Sequence, residues 1–139
     1  MSAYRVEWPA WADWYEASAS PIRGQASGYL GGGALSLPNA DAGYVEWQAV
    51  TAAGTYTLTL LYVTWLGAGK IQMSIDGSSV GTLTDCYTVG QVNNNVLTAT
   101  GIALTEGVHT IRVTSNGKNA SSSGYATPLQ WFSLERTGA

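Results

Sequence analysis

Three tryptophans within seven residues, Trp8, Trp11 and Trp14 in WPAWADWY, raise the first question about what this chain can do, and Tyr15 stands beside the last of them. Indoles so placed can fill a core, stack on a sugar ring or meet a second protein. Pro9 suits the first position of a helical turn, and a three-residue spacing brings side chains to one side of such a turn. The segment is therefore expected to form a short helical cap. Trp8, Trp11, Trp14 and Tyr15 would then close an open end of the domain or contact a neighbouring chain. As a sugar platform the segment offers hydroxyl groups only Asp13 and the indole N–H donors.

Groups able to catalyse a reaction are scarce. Glycoside hydrolysis needs paired carboxylates, and acyl transfer needs a nucleophile beside a base. Asp41 and Glu46 are close in sequence, but the local pattern sets Asp41 in a turn and Glu46 in the middle of a strand; the other acids are scattered singly. No catalytic residue is assigned, and the chain is not expected to be an enzyme. The sole histidine, His109, falls on an inward strand position and is expected to be structural rather than a metal ligand or general base. Cys86 is the only cysteine, which excludes an internal disulfide and a cysteine-based zinc cluster. With no Lys, Arg or His flanking it, it reads as a small buried apolar residue. The asparagines at 93–95 read as a solvated loop or as sugar-binding amides, and Asn119-Ala120-Ser121 is expected to be a chance match to a glycosylation acceptor.

These groups sit in an unusual background. The 139 residues are the size of one domain, and a single β-sandwich over residues 1–139 is expected. Only 11% of residues are charged, against roughly 25% in an ordinary globular protein. No apolar run approaches the roughly 18 residues of a membrane span, so the surface must be built largely of Ser, Thr, Asn and Gly. A net charge of −3, with two lysines and four arginines scattered along the chain, supplies no groove that tracks phosphates, and nucleic acid is not an expected partner. The opening MSAYRVEWPAW lacks a basic stretch followed by an apolar one, so cytoplasmic synthesis is expected, with incorporation into a virion as one destination.

The elements that must position these residues are strands. TYTLTLLYV alternates, with Tyr56, Leu58, Leu60 and Tyr62 on one face and Thr55, Thr57 and Thr59 on the other. Beyond Leu60 the second face also turns apolar at Leu61, Val63 and Trp65, an end expected to be covered by a loop or, as the second reading, offered to a partner. KIQMSIDGSSVGTL sets Ile71, Met73 and Ile75 inward and then turns at Asp76-Gly77, reading as a hairpin. GVHTIRVTSNG turns His109, Ile111 and Val113 to one face. With YRVEW, GYVEWQAV, NVLTATGIAL and PLQWFSLER, the chain is expected to be all-β, a sandwich of about eight to ten short antiparallel strands.

The order AGYVEWQAVTAAGTYTLTLLYV, IQMSIDGSSVGTL, IALTEGVHTIRV and PLQWFSL resembles the carbohydrate-binding modules of families six and thirty-five over residues 43–135. The resemblance implies a galactose-binding-like β-sandwich of jelly-roll type that is non-catalytic and attached to polysaccharide-degrading enzymes. It also implies a structural calcium held by an acidic pair in the first strand and an aspartate in the last. Here Glu7 stands for one acid, Arg5 replaces the other and Gln130 occupies the aspartate position. Calcium prefers six to eight oxygens, mostly carboxylate, so no metal or other cofactor is expected. The sugar-binding asparagine that the resemblance implies falls on Pro128.

Two functions follow as expectations. The first is a recognition domain that binds a glycan or a glycan-bearing surface through Trp65, Tyr87, Asn94 and Tyr125. The second is a virion structural protein, a capsid decoration or tail component, that uses the sandwich to dock other chains or to form a homo-oligomer.

Overall fold

The computed structural model describes residues 5–7, 11–15, 22–25 and 39–139. Within them the chain forms ten strands: β1 (Arg5–Glu7), β2 (Trp11–Tyr15), β3 (Ile22–Gln25), β4 (Tyr44–Thr51), β5 (Gly54–Thr64), β6 (Lys70–Ile75), β7 (Ser78–Asp85), β8 (Val92–Leu104), β9 (Gly107–Ser115) and β10 (Leu129–Gly138). One antiparallel sheet has the order β1-β10-β5-β8 and the other β3-β2-β4-β9-β6-β7. Among the described residues there is no helix.

Period-two alternation builds the core between the sheets. β5 contributes Tyr56, Leu58 and Leu60, and β10 Phe132 and Leu134; facing them are Val45, Trp47 and Ala49 of β4, Ile71, Met73 and Ile75 of β6, and Ile111 and Val113 of β9, all buried. Trp47 and Phe132 join the two layers, with ring centroids 4.3 Å apart. The fully buried Tyr56 keeps its hydroxyl satisfied by donating to the Ala52 carbonyl at 2.7 Å, as a polar group removed from water requires. Cys86 is buried in this core, as its neighbourhood in the sequence suggested, and burial pushes its thiol far above the ordinary thiol range.

The turns are equally legible. Ile75 pairs with Ser78, so Asp76 and Gly77 form a two-residue connection, and both have positive φ, 51° and 84°. Such a pair is the mirror-image turn whose twist matches that of the flanking strands. The doubly apolar end of β5 is also covered: Val63 is fully buried with Trp65 against it, and the Val63 N–H donates to the Pro128 carbonyl at 2.8 Å.

WPAWADWY departs from expectation. Trp11, Trp14 and Tyr15 lie in strand β2, not in a helical turn, while Trp8 lies outside the described residues. β2 is paired on both sides, Asp13 standing opposite Arg23 of β3 and Glu46 of β4. Two ladders of backbone hydrogen bonds outweigh a local helical spacing, because they satisfy groups that a single turn leaves open.

Antiparallel pairing sends the connections to two ends. Residues 39–43, 65–69, 86–91 and 116–128 gather at one; 52–53, 76–77 and 105–106 lie at the other.

Candidate functional site

The end with the long connections carries three of the four expected ligand residues on adjoining backbone. Trp65 and Tyr87 face each other across an isolated parallel bridge: the Trp65 N–H donates to the Cys86 carbonyl at 3.0 Å, and the Thr88 N–H to the Trp65 carbonyl at 3.3 Å. A second parallel bridge joins Ala68 to Ala126, beside Tyr125. Ser122 sews the same connections together, its hydroxyl lying 2.7 Å from the Ala68 carbonyl and 3.0 Å from that of Gly124.

Glycines permit these approaches. A Cβ on Gly67 would stand 2.7 Å from the Trp65 ring, and one on Gly124 would stand 2.8 Å from Asn39 Oδ1 and 3.1 Å from the Gly67 carbonyl oxygen. The Asn39 side chain in turn accepts the Tyr125 N–H at 2.7 Å and so fixes the backbone that presents the tyrosine.

A polar chain runs between the two tyrosines. The Asp85 carboxylate accepts the Tyr87 N–H at 3.0 Å and the Asn119 side-chain amide at 2.8 Å, linking the 86–91 and 116–128 connections. Desolvation raises the Asp85 carboxyl, but these two hydrogen bonds together with the charge of Lys70 outweigh it and hold the group below its usual range. Next to Asn119, the Lys118 ammonium donates to the Ser122 carbonyl at 3.0 Å and stands 5.7 Å from the centre of the Tyr125 ring, within cation–π reach. Tyr87 and Tyr125 are both partly exposed. Trp65 is half-buried, and its Nε1–H is shielded from water with no acceptor among the described residues, so its indole is in large part a packing group.

Asn94, near the start of β8 at this same end, is engaged by another side chain. It adopts a positive φ of 61° on β8, its N–H donates to Gln130 Oε1 at 2.8 Å, and its Oδ1 accepts from Gln130 Nε2 at 3.0 Å. This reciprocal amide clasp ties the start of β8 to the start of β10 and places Gln130, at the position of the expected metal-binding aspartate, in a different task. Among the described residues no three His, Cys, Asp or Glu side chains gather as a metal would require. An amide oxygen already accepting a peptide N–H is a poor substitute for a carboxylate, so Gln130 is a weak stand-in for the expected aspartate. The partner residues expected at the N-terminus, Trp11, Trp14 and Tyr15, are positioned only as members of β2, and Trp8 lies outside the described residues.

The two carboxylates weighed for catalysis are apart. Glu46 binds Arg112 at 3.2 Å on the outer face of the six-stranded sheet, where the guanidinium also lies 3.7 Å above the Tyr44 ring. Asp41 accepts the Gly117 N–H at 2.9 Å. Sequence reasoning missed Asn39, Asp85 and Lys118 and weighed Asn119 only as a glycosylation match. The only signal for them at this site was their place in, or at the strand end beside, the connections that carry the aromatic candidates.

Comparison with solved structures places the fold. A family 35 carbohydrate-binding module from an environmental isolate matches with a TM-score of 0.60 at 19% identity, covering 90% of this chain and 93% of that module. The fold is that of these carbohydrate-binding modules. A family 6 module from Clostridium cellulolyticum, solved in complex with xylose, matches with a TM-score of 0.53 at 15% identity over 93% of this chain and 94% of the other. A Paenibacillus xanthan lyase matches with a TM-score of 0.61 at 28% identity; it covers 96% of this chain, which spans only 12% of the lyase. No family model and no curated protein matches the sequence. The jelly-roll expectation is therefore borne out at the level of the fold, on a sandwich whose long connections gather at one end. Among the described residues no helix is long and apolar enough to cross a membrane.

Proposed function

We propose that the chain is a non-catalytic glycan-recognition domain and that its binding surface is the end formed by residues 65–69, 86–91 and 116–128. The observation that carries this reading is the coupling of Tyr87 and Tyr125. Two partly exposed aromatic rings stand on different connections that are tied together through the bridge from Asp85 to Asn119, and the backbone of Trp65 is bridged to that of Tyr87. A sugar ring presents an apolar C–H face and a rim of hydroxyls. Flat aromatic faces complement the first, and fixed carboxylate, amide and ammonium groups complement the second. Holding these groups on pre-bonded backbone lowers the ordering cost of binding. The fold's carbohydrate-binding neighbours support the same reading. On this proposal the calcium of related modules has no counterpart, and the Gln130–Asn94 clasp takes over the tie between strands.

The test is a glycan array followed by calorimetry on the best binder. Tyr87→Ala and Tyr125→Ala should each weaken binding at least about tenfold, roughly 1.4 kcal/mol, while the melting temperature stays nearly unchanged, as for surface substitutions in general. Unaltered affinity in both variants would refute this location of the site.

A further inference from the structure

The end opposite the aromatic connections holds the chain's single histidine. His109, on β9, is only 6% exposed. Its Nδ1 lies 2.6 Å from Asp76 Oδ2, and its Nε2 lies 2.8 Å from the Thr105 carbonyl oxygen. A neutral imidazole has one N–H and one lone pair. Whichever tautomer it took, one ring nitrogen would turn a lone pair toward an oxygen, unless the proton were moved onto Asp76. That alternative is disfavoured because the Asp76 side chain is 49% exposed and its other oxygen already accepts the Thr110 N–H at 2.8 Å, both of which favour the carboxylate. Only the imidazolium donates at both nitrogens to acceptors that are ready to receive.

We propose that His109 is a cationic staple, protonated through neutral pH, which pins the β6–β7 turn and the β8–β9 turn to the body of the sandwich and releases them when it loses its proton. Its reach is wide for one side chain. Asp76 sits at a positive φ in the tight turn and its own N–H donates to the Thr110 carbonyl at 2.8 Å, so the hairpin tip and β9 are joined by three bonds, one of which is the charged one. The Thr105 carbonyl also accepts the Thr51 hydroxyl at 3.0 Å, which brings the end of β4 into the same knot. Of the elements packed here, β4 sets Ala49 opposite His109 in register and adds no charge. The β6–β7 turn supplies Asp76, the β8–β9 connection supplies the exposed Glu106, and Arg136, at this same end, is bonded to the Ala53 carbonyl.

The direction of the pH effect follows from the two partners. The hydrogen bond that His109 donates to Asp76, then the one it donates to the Thr105 carbonyl, raises the His109 pKa, against the opposing effect of burial. The His109 bond, then the Thr110 N–H, lowers that of Asp76. A raised histidine stabilises the fold fully below its unfolded pKa of about 6.5, and this contribution is lost as pH rises through the folded value. A lowered aspartate gives its contribution above its unfolded pKa and loses it as pH falls through the folded one. The staple is thus complete in a window bounded by Asp76 on the acid side and His109 on the alkaline side.

Because the chain has one histidine, its ring resonances are unambiguous. In a ¹⁵N and ¹H NMR titration of the folded protein both ring nitrogens should be predominantly protonated at pH 7, so that the midpoint lies on the alkaline side of neutrality. Melting temperature should fall by a few degrees more between pH 6 and pH 9 in the parent than in His109→Gln, which also controls for the terminal amine. A single neutral tautomer at pH 7, or a midpoint at or below that of a free histidine, would overturn the proposal without reference to any variant.

Discussion

At the end where residues 65–69, 86–91 and 116–128 meet, long connections are sewn together by backbone bridges and by Ser122, Asn39 and Asp85; at the other end, turns as short as two residues are held by His109 and Asp76. The first arrangement uses peptide groups and short polar side chains as fasteners, which leaves Tyr87 and Tyr125 partly exposed. The second closes the sandwich with the pair of a buried His109 and a half-exposed Asp76, and its turns at 52–53, 76–77 and 105–106 carry no aromatic residue. Both ends stand on one core, so the contrast separates what a sandwich needs in order to stay closed from what it can spare for recognition.

The largest disturbance of this contrast should come from Trp65, which belongs partly to each role. Trp65→Ala removes an indole packed against Val63 and Gly67 and should cost about 2–3 kcal/mol in urea denaturation. A full-strength fold that has lost glycan binding would instead make Trp65 an open platform, and the division between packing and presenting groups at that end would have to be redrawn. A smaller effect is expected at the clasp. Gln130→Ala leaves the Asn94 N–H without its acceptor and should cost about 1–2 kcal/mol. In the parent, millimolar calcium and excess chelator should give the same melting temperature, since a ligand that binds only the folded state would raise it. A rise of several degrees with calcium would restore the metal site.

Much of the fold could be read from the sequence because strands with one buried face advertise themselves at period two. TYTLTLLYV, KIQMSI and GVHTIRV place their apolar residues inward as the alternation predicts, and Asp76-Gly77 marks its turn chemically. β2 and β3 escaped for physical reasons. The three-residue repeat of tryptophans fits a helix until two flanking strands are supplied, and IRGQ carries no alternation at all. At the site the aromatic residues stood out by type, whereas Asp85, the last residue of β7, and Asn119, in a connection, are ordinary polar residues until the fold closes the 34 positions between them. The Asn94–Gln130 clasp, across 36 positions, was hidden in the same way. Asn94 had looked available for a ligand because nothing local showed that its N–H and its side-chain oxygen were engaged.

The central claim is that recognition belongs to one end of the sandwich, and amide chemical-shift mapping with the best glycan from an array tests it most directly. The account predicts that shifts concentrate in residues 65–69, 86–91 and 116–128, with Asp76, Gly77 and Thr105 silent. Shifts concentrated around the His109 turns, or on β2, would contradict it.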